Sequence, residues 1–223
     1  MTATSLRPRA GAMRRLGLAA LVAAGPFAVG GCKTPDPTPA PRDVAASWSS
    51  SRPTRLPVRR VLVPPFQDLT GHPGEVARIR DSMVDALARR GRFELVPVQA
   101  HELRDEIPAS VFEAGAVPRR ALLAAARRYR ADAVLFGAVT RYRPYEPLLV
   151  ALQVELVTAD DGRSDWSASG TFDAATQDVV ADVRNYHDVT LAATSSLEGW
   201  RLLLLSPSRF VDYACARLAE KLP

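Results

Sequence analysis

The spacing of apolar residues predicts alternating strands and helices from residue 58 onward. The run Val61–Val63 ends at two prolines and predicts a strand. Four apolar residues then recur at the spacing of an amphipathic helix: Val76, Ile79, Met83 and Leu87. Gly91 is expected to end this helix as a C-cap residue, and Phe93–Val98 predicts a second strand.

The middle of the chain continues this alternation. A short helical stretch is expected around Gln99–Ile107, and Pro118 begins a longer helix that runs through Tyr129. Asp132–Thr140 is a nearly continuous apolar run, which is typical of a strand buried on both faces.

A hairpin between Leu148 and Phe172 is the clearest β pattern of the chain. Its first arm places alternate apolar residues on one face: Leu148, Val150, Leu152, Val154 and Leu156. Gln153 and Glu155 fall on the other face. After the turn Asp160–Gly162 the second arm alternates in the same way: Trp166, Ala168, Gly170 and Phe172. The pattern indicates a hairpin that covers a core on one side.

The last part of the chain is predicted to be mainly helical. One helical stripe consists of Val179, Val183, Tyr186 and Thr190. The run Leu202–Leu205 is too short to distinguish a strand from a helix. Ser206 and Pro207 begin a final helix, whose buried side is apolar: Phe210, Val211, Ala214, Cys215, Leu218 and Leu222. The order of elements predicts the α/β class, with a single mixed β-sheet flanked by helices.

Residues 1–31 are expected to be a cleaved signal peptide. Four arginines and no acidic residue precede the apolar run Leu16–Val29, which is shorter than the roughly 20 residues of a membrane-spanning helix. Val29-Gly30-Gly31-Cys32 follows and resembles the lipobox of bacterial lipoproteins. The resemblance implies cleavage before Cys32, a lipid on its thiol and, because Lys33 rather than Asp follows, sorting to the outer membrane. The alternative is an ordinary signal peptide beside a chance cysteine, but an A-x-A-like site is absent.

Residues 32–57 are predicted to be a lipidated, disordered linker, and residues 58–223 a single domain. Prolines alternate with small or polar residues in this linker: Pro35, Pro37, Pro39 and Pro41. Such a segment favours an extended conformation of about 3.1 Å per residue.

Removing the signal peptide changes the charge of the protein. The signal peptide holds four of the 29 basic residues, which leaves 25 basic against 24 acidic residues. The sequence pI of about 9.7 is therefore no argument for nucleic-acid binding. Cys215 is the only other cysteine, so a lipid on Cys32 precludes an intrachain disulfide. We expect Cys215 to be buried on the last helix and unreactive.

Three segments between Val58 and Phe172 resemble one superfamily of envelope lipoproteins. The first is Arg60-Val61-Leu62-Val63-Pro64-Pro65-Phe66, followed by Asp68 and Thr70-Gly71. The second, Arg90-Gly91-Arg92-Phe93-Glu94-Leu95-Val96, resembles the superfamily's junction of helix, Gly-Arg-Phe and strand. The third, Arg130-Ala131-Asp132-Ala133-Val134-Leu135-Phe136-Gly137, resembles its third strand. The superfamily includes CsgG, LpoB and the N-terminal domain of TolB. In it, a leucine usually stands where this chain has Pro64. The resemblance implies an anticodon-binding-like α/β domain that acts in binding or assembly, without catalytic residues.

Residues with potential chemistry are scattered along the sequence. His72, His101 and His187 lie in unrelated elements without a metal-ligand spacing, so we expect solvated or capping roles and no metal or other cofactor. The Thr70–Gly74 loop lacks the Lys and Ser/Thr of a phosphate-binding loop, which favours a structural turn. Five arginines cluster near one helix: Arg119, Arg120, Arg127, Arg128 and Arg130. A solvated face is the plainer interpretation, and contact with anionic lipid or an acidic partner is the alternative.

The sequence as a whole predicts a periplasm-facing outer-membrane lipoprotein anchored through Cys32. We expect a non-enzymatic binding, assembly or activator module with an envelope protein partner and no nucleic-acid partner, in a chain that is compatible with a homo-oligomer. The alternative is a subunit of a CsgG-like secretion pore. The hairpin argues against it, because a pore subunit needs paired strands beyond those of its soluble sheet.

Overall fold

Seven strands form one mixed sheet. The computed structural model describes residues 44–49, 57–105, 107, 118–191 and 199–222. The strands are β1 (Ala45–Ser49), β2 (Arg60–Val63), β3 (Gln67–Asp68), β4 (Glu94–Pro97), β5 (Ala133–Arg143), β6 (Leu149–Thr158) and β7 (Ser164–Asp173). Their order is β1-β7-β6-β5-β2-β4, with β3 beside β5. Strands β4, β2, β3 and β5 pair in parallel, whereas β5, β6, β7 and β1 pair antiparallel. The predicted α/β class is confirmed.

Five helices within the described residues flank this sheet. They are α1 (Pro73–Arg90), α2 (Arg119–Arg128), α3 (Gln177–Tyr186), α4 (Gly199–Leu205) and α5 (Pro207–Glu220). Gly91 has a φ of 63° and ends α1, as predicted, because glycine adopts the left-handed conformation without strain. The run Leu202–Leu205, which the sequence left undecided, is helical.

The sheet carries apolar clusters on both faces. The larger cluster lies against α1, α3 and α5, and includes the inward residues of the predicted hairpin, with Trp166 and Phe172 fully buried. The smaller cluster packs α2 and the short 3-10 helix Ala100–Leu103 against Leu62 and Val134. The start of β5 is therefore covered on both faces, as its apolar run predicts.

The strand β1 corrects the predicted linker. Ala45–Ser49 lie within the segment assigned to the linker, yet they pair antiparallel with β7, from Ala45 opposite Gly170 to Ser49 opposite Trp166. The assignment was wrong for these five residues because main-chain hydrogen bonds hold the strand, and these do not require an apolar alternation. The rest of the linker before Val44, the signal peptide and Cys32 lie outside the described residues.

Two contacts between distant segments join β5 to β2 and to the segment that follows β2. The Phe66 ring lies over Gly137, where an added Cβ would come within 2.4 Å of its ring carbons. At the start of β5, the Asp132 carboxylate accepts hydrogen bonds from the backbone N–H groups of Arg59 and Arg60, each at 2.9 Å. These contacts involve two of the segments that resemble the lipoprotein superfamily.

A polar cluster ties α3 to α5. Arg217 donates two hydrogen bonds to the Asp182 carboxylate, at 2.8 and 2.9 Å, and the Tyr213 hydroxyl donates a third at 2.6 Å. Burial and the bond to Asp182 raise the pKa of Tyr213 above its usual range. The three groups satisfy one another, so we regard the cluster as a structural link between the two helices.

Candidate binding surfaces

The Thr70–Gly74 loop is a self-contained turn. The Asp68 carboxylate accepts hydrogen bonds from the Thr70 N–H, the Thr70 hydroxyl and the Gly71 N–H, at 2.7 to 3.0 Å. Burial raises the pKa of Asp68, but these donors outweigh it and hold the pKa below its usual value. Gly71 has a φ of 78°, which a turn of this kind reserves for glycine. The loop fits the predicted structural turn.

The arginines around α2 divide into two groups. Arg119 makes two hydrogen bonds to Glu155, at 3.1 and 3.2 Å, and its guanidinium lies 5.3 Å from the centre of the Phe136 ring. Arg128 pairs with Asp105 at 3.2 Å. The remaining three, Arg120, Arg127 and Arg130, are exposed as well. Arg119 thereby links α2 to β6 and borders the sheet face described below.

The three histidines have different environments. His72 is exposed at the N-cap of α1, and His101 is exposed in the 3-10 helix, as predicted. Of the two roles predicted for His187, the solvated one is wrong, because only 2% of this residue is exposed, and the structure places it at the C-cap of α3. His187 lies four residues after buried Val183 and faces inward on the same side of α3. The π-helical turn His187–Leu191 then rotates the later side chains, and Thr190 of the predicted stripe is exposed.

His187 does not form part of a recognisable metal site. Its Nδ1 lies 3.1 Å from the Asp188 carboxylate, and its Nε2 has no hydrogen-bond partner among the described residues. Within the same part of the chain, no group of three or more His, Cys, Asp or Glu residues is arranged to hold a metal ion.

Cys215 is completely buried, as its place on the last helix predicts. Its Sγ lies 3.7 Å from the Ile79 carbonyl oxygen of α1. Burial, together with the nearby Asp212, raises the pKa of the Cys215 thiol well above its usual range. The thiol therefore stays protonated and serves as a small apolar contact between α1 and α5.

We expect Cys215→Ser to lower the free energy of unfolding by about 1–2 kcal/mol, because it buries a more polar hydroxyl. Urea denaturation followed by circular dichroism measures the change, and Cys215→Ala is the control for the lost sulfur. In the folded wild-type protein, a thiol reagent should label Cys215 only after denaturant is added. Rapid labelling without denaturant would contradict its burial.

Within the described residues, no helix covers the face of the sheet opposite the larger cluster over β6 and β7. We call this surface the open sheet face: Thr140, Gln153, Ser167, Ser169 and Thr171. Three of its members, Gln153, Ser169 and Thr171, are exposed. The described helix on this side, α2, packs against β2 and β5 but leaves these positions exposed.

A shallow groove of about 260 Å³ runs across the open sheet face. Val44 and Ala151 form its apolar part, and Gln153, Ser169 and Thr171 supply amide and hydroxyl groups. Because paired strands hold these groups at fixed spacing, the surface is a rigid array of hydrogen-bond donors and acceptors. The sequence indicated the polar face of the first arm, through Gln153 and Glu155, but not that it stays uncovered.

A second surface lies at one end of the sheet. We call it the apolar end: the groove residues Pro147, Trp200 and Leu205, together with two exposed residues of the same turn and helix, Tyr145 and Leu202. Tyr145 is 69% exposed, and Leu202 and Leu205 are 47% and 55% exposed. Pro147, Trp200 and Leu205 line a groove of about 310 Å³ together with Ala174. The Ala174 N–H donates to the Leu148 carbonyl at 2.9 Å, which closes β7 onto the β5–β6 turn.

Two arginine side chains lie over the Trp200 ring of the apolar end. The guanidinium of Arg184 lies 4.5 Å from the centre of the Trp200 ring, and that of Arg201 lies 5.4 Å from it. Both distances are within the range of cation–π contacts. The sequence analysis missed this surface, because Trp200 and Leu205 are far from Pro147 in sequence. The four consecutive leucines were the only signal of it.

Comparison with known proteins finds several solved structures that are similar to this chain. No protein-family model and no curated protein matches the chain. The chain is similar to a PelC dodecamer subunit from Paraburkholderia phytofirmans, with 20% identity over 61% of this chain and 88% of that one, and a TM-score of 0.41. It is similar to lipoprotein GNA1162 from Neisseria meningitidis, with 19% identity over 61% of this chain and 97% of that one, and a TM-score of 0.41.

The C-terminal domain of LpoB from Salmonella enterica is a third similar structure. Its identity is 21% over 52% of this chain and 84% of that one, and its TM-score is 0.37. At such identities and TM-scores, the three likenesses assign no function to the chain. Among the described residues, none of the helices combines the length and apolar character needed to cross a membrane.

Proposed function

We propose that this chain is a lipid-anchored protein of the cell envelope that binds a protein partner and catalyses no reaction. Cys32 carries the lipid after removal of residues 1–31, and Lys33 favours the outer membrane, with the domain facing the periplasm. In this proposal, residues 33–43 are the tether that joins Cys32 to the first described residues before β1. The support for the anchor is the lipobox-like Val29-Gly30-Gly31-Cys32 behind a basic and apolar segment.

The observation that carries the binding role is the open sheet face. Gln153, Ser169 and Thr171 offer exposed hydrogen-bonding groups beside a shallow groove. Arg119, stacked on Phe136 and paired with Glu155, forms one border. Arginine and aromatic side chains are enriched at protein interfaces, and polar groups form their rim. A protein partner of complementary polarity is therefore the ligand that we assign to this face.

The pore alternative receives no support from the sheet. Strand β6 is paired with β5 on one side and β7 on the other, and β7 is paired with β6 and β1. Both arms of the hairpin therefore have a neighbouring strand on each side within the soluble sheet. A pore subunit would need a further pair of strands beyond them. The described part of the stretch after Ala174 is helical in α3 and α4.

The binding role is tested by site-specific photo-crosslinking in intact cells. A photoreactive amino acid at Ser169 or Thr171 is expected to give one discrete crosslinked envelope protein, whereas the same group at exposed Asp85 on α1 should not. The double variant Gln153→Arg/Ser169→Arg should abolish that crosslink from Thr171 while leaving the circular dichroism spectrum unchanged. Equal crosslinking from Asp85, or a crosslink that survives the double variant, would contradict the assignment.

A further inference from the structure

The direction of β1 determines where the tether leaves the domain. β1 is antiparallel to β7, and Ala45 lies opposite Gly170 whereas Ser49 lies opposite Trp166. The chain that precedes Ala45 therefore leaves the sheet toward the end of β7 that holds Asp173. That is the end at which Ala174 and the β5–β6 turn form the apolar end.

The tether is short compared with the sheet. Eleven residues, 33–43, separate Cys32 from Val44, the first described residue, and at about 3.3–3.6 Å per residue they span at most roughly 40 Å. Strand β6 has 10 residues and, at about 3.3 Å each, is roughly 33 Å long. To bring the opposite end of the sheet to the membrane, the tether would have to run back along the whole strand, almost fully stretched. The apolar end is therefore the part of the domain that the anchor holds nearest to the lipid.

The chemistry of the apolar end suits a lipid interface. Tyrosine and tryptophan are enriched where a membrane meets water, because their rings are apolar and their polar groups stay hydrated. Leu202 and Leu205 project from α4 one turn apart and are about half exposed. Arginines such as Arg184 place their apolar stems beside lipid and their charge among headgroups. Glu146 in the groove is acidic, so the contact depends on apolar side chains more than on net charge.

We propose that the apolar end rests in the headgroup region of the membrane that holds the Cys32 lipid. This inference rests on the lipid anchor of the proposed function. The tether keeps the apolar end close to the membrane, so the contact forms at a high effective concentration. A few exposed apolar side chains are therefore enough to maintain it. The open sheet face then stands upright on the membrane, where an envelope partner can reach it.

The test uses the full chain, lipidated in a bacterial host and reconstituted into vesicles of phosphatidylcholine and phosphatidylglycerol. Cys215 is buried and Cys32 carries the lipid, so a single introduced cysteine accepts an environment-sensitive fluorophore. Tyr145→Cys and Leu205→Cys report on the apolar end, and Asp160→Cys, in the turn at the opposite end of β6, is the matched control. Spin-labelled phosphatidylcholine is the quencher, and intact-mass analysis of each sample establishes whether the lipid is present.

We expect blue-shifted emission and strong quenching by the spin-labelled lipid at Tyr145→Cys and Leu205→Cys, and neither effect at Asp160→Cys. Adding Leu202→Ser to the Tyr145→Cys protein should weaken the quenching. If the mass shows the lipid but the labels at the apolar end remain water-exposed, the inference is overturned and the anchor stands. Labels that are shielded without lipid quenching would show a protein contact instead and also overturn it. A mass without lipid would refute the anchor, and the inference with it.

Discussion

Cys32→Ser is expected to abolish the mature, lipid-bearing protein. In the processing order that the lipobox resemblance implies, the peptidase cleaves only after the cysteine has received its diacylglycerol. A serine hydroxyl is a far weaker nucleophile than a thiolate and should not take the lipid. The variant should therefore accumulate as the uncleaved chain, whereas the wild type should begin at Cys32 and remain with washed membranes. Three acyl chains hold a protein far more firmly than one.

Intact-mass analysis of both proteins measures this effect directly. Cys215→Ser is the matched control, because it removes the other cysteine and should leave cleavage and lipidation unchanged. An unmodified Cys32 in the wild type, or a cleavage site elsewhere, would contradict the anchor. That result would not affect the open sheet face, whose crosslinking is measured independently.

Trp166→Ala is expected to lower the free energy of unfolding by about 3–5 kcal/mol. Trp166 lies on β7, is 1% exposed and packs in the larger apolar cluster. Its indole N–H also donates to the Lys221 carbonyl at 2.8 Å, which fixes the end of α5 against the sheet. The substitution removes both the largest buried side chain and this hydrogen bond, and it leaves a cavity that the strands cannot close.

Urea denaturation followed by far-ultraviolet circular dichroism measures the loss of stability from Trp166→Ala. Trp200→Ala is the control, because Trp200 is only partly buried and should cost much less. Trp166→Phe should fall between the two, since it keeps an aromatic ring but loses the hydrogen bond. A loss no larger for Trp166→Ala than for Trp200→Ala would show that the sheet and α5 are not joined as described.

Local sequence patterns predicted those helices and strands in which buried residues recur at regular intervals. α1 and its Gly91 cap, the hairpin of β6 and β7 and the buried face of α5 all follow from the regular spacing of apolar residues. That spacing reports which side of a helix or strand faces the core, whatever the partner across it. The same reasoning predicted the burial of Cys215.

Contacts between distant segments could not be predicted from the spacing of apolar residues. The strand β1 has no apolar alternation, and only its pairing with β7 makes it a strand. The sequence does not show that the Phe66 ring needs the missing side chain of Gly137, or that Arg119 reaches Glu155. The exposure of Thr190 was missed because a π-helical turn changes the rotation between successive side chains. In each case the partner lies far away in sequence, or the geometry departs from the regular period.

The sequence by itself determined the lipobox-like site at Cys32, the near-neutral charge that remains without the signal peptide, and an α/β fold with one mixed sheet. These depend on local composition and on the burial of one residue at a time. Only the tertiary structure decided which surfaces are left over among the described residues: the open sheet face and the apolar end, where Pro147, Trp200 and Leu205 line one groove. A surface consists of what packing leaves uncovered, so it depends on the register of every strand and the position of every helix at once. The pairing of β1 with β7 belongs to the same class, because it joins residues that are more than a hundred positions apart.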